Sequence, residues 1–190
     1  MTHALSQNFK MTTLLKFALP SIVMMVFTSL YTIIDGIFVS RLVGSSALSA
    51  INIVYPIISL IIAIGVMLAT GGSATIAKKF GENKAHEACN HFTLFILTGS
   101  ITGIIIAFGS SLFIEPIVKL LGANASLKQD AMIYLGTLLK FAPACILQLL
   151  FQSYFVTAGR PQIGLVLTIL AGITNAVLDY LFMGPLALGI

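Results

Sequence analysis

Charge is spread so unevenly along this chain that it decides the fold class. The chain carries 10 Lys and Arg and 6 Asp and Glu, and they leave five stretches with no charge, at 17–34, 42–77, 88–114, 141–159 and 161–178. A helix crossing the hydrocarbon of a bilayer needs about 20 apolar residues, with a range of about 17–25. Every stretch reaches that length, and the second exceeds it. Only helices and closed barrels satisfy all their backbone polar groups in lipid. Alternating segments of about ten residues separated by turns, the mark of a membrane barrel, do not occur. The spacing predicts an all-α polytopic membrane bundle of about five transmembrane helices, at about 14–40, 47–77, 91–114, 131–157 and 162–183. No connection is long enough for a soluble domain.

Composition removes the competing classes. Charged residues make up 8% of the 190 residues and apolar residues 58%, with a mean hydropathy of +1.05. Soluble domains carry roughly 25% charge, so a water-facing surface could hardly be assembled. A cytosolic enzyme, a disordered chain and a disulfide-built module are all excluded. The net charge of +4 is scattered and forms no Arg-rich block, so membrane lipids, and not nucleic acid, are the expected contact. Cys89 and Cys145 lie far apart and read as small apolar packers; His3, His86 and His91 form no metal-ligating constellation. No cofactor is expected.

The connections carry turn chemistry: Gly44-Ser45-Ser46, Gly81-Glu82-Asn83-Lys84, Gly122-Ala123-Asn124-Ala125-Ser126 and Gly159-Arg160-Pro161. The first apolar stretch is too long for a cleavable signal peptide and lacks a small-residue cleavage pattern. Orientation follows from Lys and Arg near the spans. With the N-terminus in the cytoplasm, Lys10, Lys16, Lys78, Lys79, Lys84 and Arg160 lie inside, and Arg41, Lys119 and Lys128 lie outside. Lys140 is left within the fourth span. Leu14-Leu15-Lys16-Phe17-Ala18 is echoed by Leu138-Leu139-Lys140-Phe141-Ala142, each copy ahead of a proline, Pro20 or Pro143. The echo fits an inverted repeat or chance in a Leu-rich chain.

Two acids fall where hydrocarbon is expected. Asp35 belongs to the first span and Asp179 to the fifth. A carboxylate at a span centre costs about 2.5–3.5 kcal/mol on insertion scales, so such groups face a bundle interior or water cavity and mark ion or proton pathways. Asp35 precedes Arg41 by about 9 Å of helix and Asp179 follows Arg160 by about 28 Å, which places both in the outer half. Thr28, Tyr31, Thr32 and Asp35 share one helical face, as do Gly164, Thr168, Gly172, Asn175 and Asp179. Asn175 and Asp179 offer a carbonyl oxygen and a carboxylate to one point, a donor set suited to a hard cation; a carboxylate pair at low dielectric also holds a proton. The plainer alternative makes both acids interfacial residues near helix ends. Gln148 and Gln152 form a weaker polar pair that bonds to neighbouring helices or lines a cavity. Pro20, Pro56 and Pro143 lie inside spans, where each can kink its helix.

These residues resemble a known pattern. Phe17-Ala18-Leu19-Pro20 followed by Asp35-Gly36-Ile37-Phe38-Val39-Ser40-Arg41-Leu42-Val43-Gly44 is similar to the first helix and following loop of the multidrug and toxic compound extrusion (MATE) transporters. Gly159-Arg160-Pro161 resembles their junction between the fourth and fifth helices, and Asn175-Ala176-Val177-Leu178-Asp179-Tyr180 their fifth-helix motif. The resemblance runs from about Leu14 to the end.

The resemblance implies a secondary antiporter of a bacterial cytoplasmic membrane that expels small cationic or amphipathic drugs in exchange for Na⁺ or H⁺. It implies a coupling-cation site at Asp35, Asn175 and Asp179, a helix bend at Pro20 and a central cavity between two lobes; the polar faces read above offer Thr28, Tyr31, Thr32, Thr168 and Gln148 as its lining. It also implies two six-helix lobes and twelve spans. On that pattern the chain is an incomplete N-terminal lobe, a truncated product or fragment, and would not transport without the missing C-terminal lobe. A lipid-linked sugar flippase of the same superfamily is the alternative; its phosphates would call for Lys or Arg in the cavity, and Lys140 is the candidate. No GxSxG elbow occurs and no His lies in a span to act as a base, so no enzyme is expected. A purely structural membrane subunit is the remaining reading.

Overall fold

A computed structural model describes residues 11–186; His3, Lys10 and the last four residues lie outside them. The described residues form α1 (Met11–Phe38), which continues into a π-helical turn at Val39–Val43, then α2 (Ser45–Gly81), α3 (Ala85–Ser111), α4 (Ile114–Leu120), α5 (Lys128–Lys140), α6 (Ala142–Thr157) and α7 (Pro161–Met183). Four helices, counting α1 with its π turn, are long and apolar enough to cross a membrane, and α5 with α6 makes a fifth if the bent pair is one span.

Many of the hydroxyls within these spans are absorbed locally. Ser29 donates to the Met25 carbonyl, Thr32 to Thr28, Thr98 to Leu94 and Thr137 to Ile133, each one turn back. Each such bond pairs a hydroxyl proton that would otherwise face hydrocarbon.

The core lies between α2, α3, α5 and α6. Val54, Leu135, Leu139, Ile146 and Leu150 are fully buried there. Outward faces are apolar too, as at Leu97, Ile105 and Phe108. Lipid is as apolar as leucine, so burial of such side chains drives no helix association and close packing must do so. Glycines supply the close approach. A Cβ on Gly103 of α3 would overlap the Cα and N of Pro143, so α3 presses directly on the backbone at the start of α6.

The fourth span departs from expectation. The sequence reads as one helix over 131–157, but α5 and α6 meet at a bend of 54° around Phe141. Pro143 is the cause. It has no N–H to give to Leu139, and its ring would strike that carbonyl in a continued helix. The helix therefore ends at Lys140 and restarts with Pro143 in its first turn. α1 and α2 run through Pro20 and Pro56 as uninterrupted helices. The two copies of the Leu-Leu-Lys-Phe-Ala echo thus differ: the first lies within α1, and the second straddles the break. α4 was expected as part of a connection and is a helix. Cys89, expected as a packer, is exposed, whereas Cys145 is half-buried.

Tyr154 of α6 is 6% exposed, and its ring packs on Phe92 with centroids 5.3 Å apart. Its hydroxyl sits in the space left by Gly72, buried and without a hydrogen-bond partner. An unpaired buried hydroxyl loses its hydration without return, at about 1–3 kcal/mol. Tyr154→Phe keeps the ring and removes the orphan group. We expect thermal unfolding in detergent to be unchanged or shifted up by the equivalent of about 1 kcal/mol; a clear loss of stability would show that the hydroxyl is satisfied.

At the other end of the bundle, Lys128 Nζ lies 2.5 Å from Glu115 Oε1 and ties α5 to α4. The hydrogen bond from Lys128 holds the Glu115 carboxyl below its ordinary value. A depressed carboxyl pKa stabilises the fold above its unfolded value, and the contribution fades as pH falls through the folded one. Both groups face water, so the effect is small. Amide exchange in α4 should accelerate only when pH falls below the normal glutamate range, and Glu115→Gln should abolish that pH step.

Candidate cation site and adjoining cleft

α1 and α7 run side by side in the same direction. Met24 faces Gly164, Tyr31 and Phe27 face Gly172, and Phe38 faces Tyr180, so contacts advance together along both helices. A Cβ on Gly172 would stand 2.6 Å from Phe27 Cε1, so only glycine admits this approach. The register brings Asp35 and Asp179 together.

The two carboxyl groups lie within hydrogen-bonding reach of each other. Asn175 Nδ2 donates weakly to Asp179 Oδ1 at 3.5 Å, and Asp179 Oδ2 is buried with no hydrogen-bond partner. Tyr134 of α5 stands within electrostatic range of both acids, and Tyr31 within range of Asp35. Two ionised carboxylates facing each other present only acceptors and like charge. Such a pair is relieved by a shared proton or a cation between the oxygens. The carboxylate oxygens of Asp35 and Asp179 fit a hard ion, whereas Asn175 turns its amide nitrogen to Asp179 and not the carbonyl oxygen expected from the sequence. Among the described residues no group of three or more His, Cys, Asp or Glu gathers to hold a metal.

A cleft of about 610 Å³ opens between α1, α2 and α6. Ser21, Thr28, Thr70, Ser73 and Ser153 supply hydroxyls to its wall, Met24 and Met25 supply polarisable surface, and no charged side chain lines it. Ser73 and Ser153 hydroxyls lie 2.6 Å apart and bridge α2 to α6. Gln152, also on the wall, donates to Thr168 at 3.4 Å and to Met24 Sδ at 3.9 Å, joining α6 to α7 and α1.

The expected lining residues divide. Thr28 lines the cleft, and Thr168 reaches it through Gln152. Tyr31 instead packs on Gly172, Thr32 is exposed and bonded to the Thr28 carbonyl at 2.9 Å, and Gln148 is exposed outside the lining. Thr70, Ser73 and Ser153 were not singled out from the sequence. Small residues at Ala69, Gly72 and Ser73 of α2 were the available signal, hidden inside a stretch read only as apolar.

The fold and the acid pair define a polytopic membrane helix bundle with an intramembrane ionisable site. The chain belongs to the MatE family, whose model matches residues 20–181. It is 29% identical over 180 residues to a FAD transporter of Shewanella oneidensis, covering 90% of this chain and 37% of that protein. It is 24% identical over 166 residues to the multidrug export protein MepA of Staphylococcus saprophyticus, covering 87% and 37%. A crystal structure of MATE in complex with MaD3S superposes with a TM-score of 0.87 at 25% identity, over 92% of this chain and 39% of that one. The chain therefore spans little more than a third of the length of these relatives.

Proposed function

We propose that this chain forms the ion-coupling part of a secondary antiporter that moves small amphipathic or cationic organic molecules across a bacterial cytoplasmic membrane, with its N-terminus inside, in exchange for Na⁺ or H⁺. The observation that carries this reading is the meeting of Asp35 and Asp179 beside Asn175, with one buried carboxylate oxygen left without a donor. An intramembrane acid pair is costly and persists where ions or protons pass. Asp35, Asn175 and Asp179 bind the coupling ion. Pro20 removes one backbone hydrogen bond from α1 and is the point where that helix would flex.

The cleft supplies the cargo surface. Its wall of hydroxyls, thioethers and one amide suits a molecule with an apolar body and few polar groups. The residues act by binding and exchanging ions and cargo, with no covalent step. On this reading residues 11–186 form part of an N-terminal lobe that works with a C-terminal lobe.

A second reading takes a phosphate-bearing cargo, as the name of the Shewanella oneidensis relative indicates for that protein. The cleft has no Lys or Arg to meet phosphates, which favours the first reading. A lipid-linked sugar as cargo meets the same objection. The test is a chimera in which residues 20–181 replace the matching stretch of MepA. In cells lacking other efflux pumps it should expel ethidium and not FAD; FAD efflux without ethidium efflux would reverse the cargo assignment.

A further inference from the structure

The buried core belongs to α2–α6, with Val54, Val118, Leu135 and Ile146 among its members and no described residue of α1 or α7. α1 and α7 pack on each other beside it. Among the described side chains of α1 only Met24 is buried, at 3% exposed. Met24 Sδ lies 3.3 Å from the place a Cβ on Gly164 of α7 would take, and Gln152 of α6 donates to the same sulfur at 3.9 Å. Gln152 Nε2 also donates to Thr168 Oγ1 of α7 at 3.4 Å. Thr168 spends its own proton on the Gly164 carbonyl at 2.9 Å, so toward Gln152 its oxygen can only accept. The side-chain amide of Gln152 thus serves two helices at once.

The position of this joint along both helices carries the consequence. Met24 precedes Asp35 by eleven residues, and Thr168 precedes Asp179 by eleven. Eleven residues are close to three full turns and about 16 Å of rise. Each acid therefore stands on the same face of its helix as the joint residue. Between the joint and the acids, Gly172 meets the rings of Phe27 and Tyr31. A glycine against a ring allows close approach but offers no knob to stop one helix sliding on the other. A slip of one residue would shift one acid past the other by about 1.5 Å. Buried polar side chains can fix the register of packed helices while adding little to stability.

We propose that Gln152 is a positioning residue for the acid pair. By holding Met24 of α1 and Thr168 of α7 to one point of α6, it sets the register in which Asp35 and Asp179 meet three turns away. Gln152 also lines the cleft, so the register of the acids and the shape of the cleft are tied at one side chain. The register stands on contacts within the chain; only the ion-affinity arm of the test rests on the antiporter reading.

The test uses the chain in detergent with Cys89→Ser and Cys145→Ser and a reporter pair, Phe38→Cys and Tyr180→Cys, whose native rings lie 6.4 Å apart beside the acids. A short bifunctional thiol reagent reads how often the two positions face each other. Gln152→Leu keeps most of the volume and removes the amide. Cross-linking should slow several-fold while the unfolding temperature holds, since an apolar group replaces a weakly bonded polar one. Thr168→Val should slow it alike, and Thr168→Ser, which keeps the accepting oxygen, should keep the parental rate. Leu150→Ala, on the side of α6 that meets Gly99 of α3, should lower the unfolding temperature and leave the rate unchanged. Without the reporter cysteines, Gln152→Leu should weaken Na⁺ binding about tenfold, as loss of an outer support does at ion sites. Unchanged cross-linking in Gln152→Leu overturns the proposal. So does slowing that Leu150→Ala shares or that Thr168→Ser also shows, and so does Na⁺ binding left at full strength while cross-linking slows. A parent chain with no Na⁺ signal would count against the ion assignment, and the cross-linking rates would then decide the register by themselves.

Discussion

Asp35→Asn in the MepA chimera is expected to abolish ion-driven ethidium efflux, with a loss of more than about tenfold. The substitution is nearly isosteric, so α1 and its packing on α7 should survive. It removes one of two carboxylates that face each other and with it the demand for a positive charge between them. An antiporter whose site no longer binds its ion cannot couple the gradient to cargo movement. Asp179→Asn should give a similar loss. The double variant should be little worse than either, because residues acting as one unit are not additive. Cys89→Ser, exposed near the start of α3, serves as the control and should leave efflux unchanged. Normal efflux in both single variants would remove Asp35 and Asp179 from the coupling mechanism.

Gly103→Ala should be the most damaging small change in the bundle. Alanine is the better helix former by about 1 kcal/mol, so intrinsic propensity alone predicts a gain. The new methyl would overlap backbone atoms of Pro143, and backbone at a helix start cannot swing aside as a side-chain tip can. Overpacking of this kind costs about 1–3 kcal/mol. We expect a net loss of about 2 kcal/mol, read as a lowered unfolding temperature in detergent. Gly109→Ala in the same helix is the matched control. Its added methyl would meet nothing within 4 Å, so stability should hold or rise. Equal behaviour of the two variants would show that α3 and α6 are not in close contact.

Much of this architecture is legible in the spacing of charge. The five uncharged stretches correspond to α1, α2, α3, α6 and α7, because burying charge in hydrocarbon is costly; α5 carries Lys128, Asp130 and Lys140 and lies outside them. The placement of Asp35 and Asp179 at one depth followed from the rise of a helix and the positions of Arg41 and Arg160. Their lateral meeting did not follow. It depends on which helices pack together, and the cue, Gly164 and Gly172 opposite Met24 and Tyr31, becomes decisive only once α1 is known to be the partner. Pro143 was visible as a kink, but not how large; Gly103 fixes where α6 restarts. α4 escaped notice because its seven residues include Glu115, Pro116 and Lys119, which read as a connection. The cleft was partly visible in Thr28. Gln148 and Gln152, one turn apart, looked equivalent, yet only Gln152 turns toward α1 and α7. Periodicity places two such residues near one face and cannot say which of them meets a neighbour.

Direct ion binding tests the central claim most simply. The chain, purified in detergent, would be titrated with Na⁺ by calorimetry at fixed pH, with proton release followed by an indicator dye. The account predicts either saturable Na⁺ uptake or, if the site is protonated, proton release on adding Na⁺ or raising pH, and it predicts that Asp35→Asn and Asp179→Asn each remove the signal. Binding or release of the same size in the wild-type chain and in both variants would contradict it.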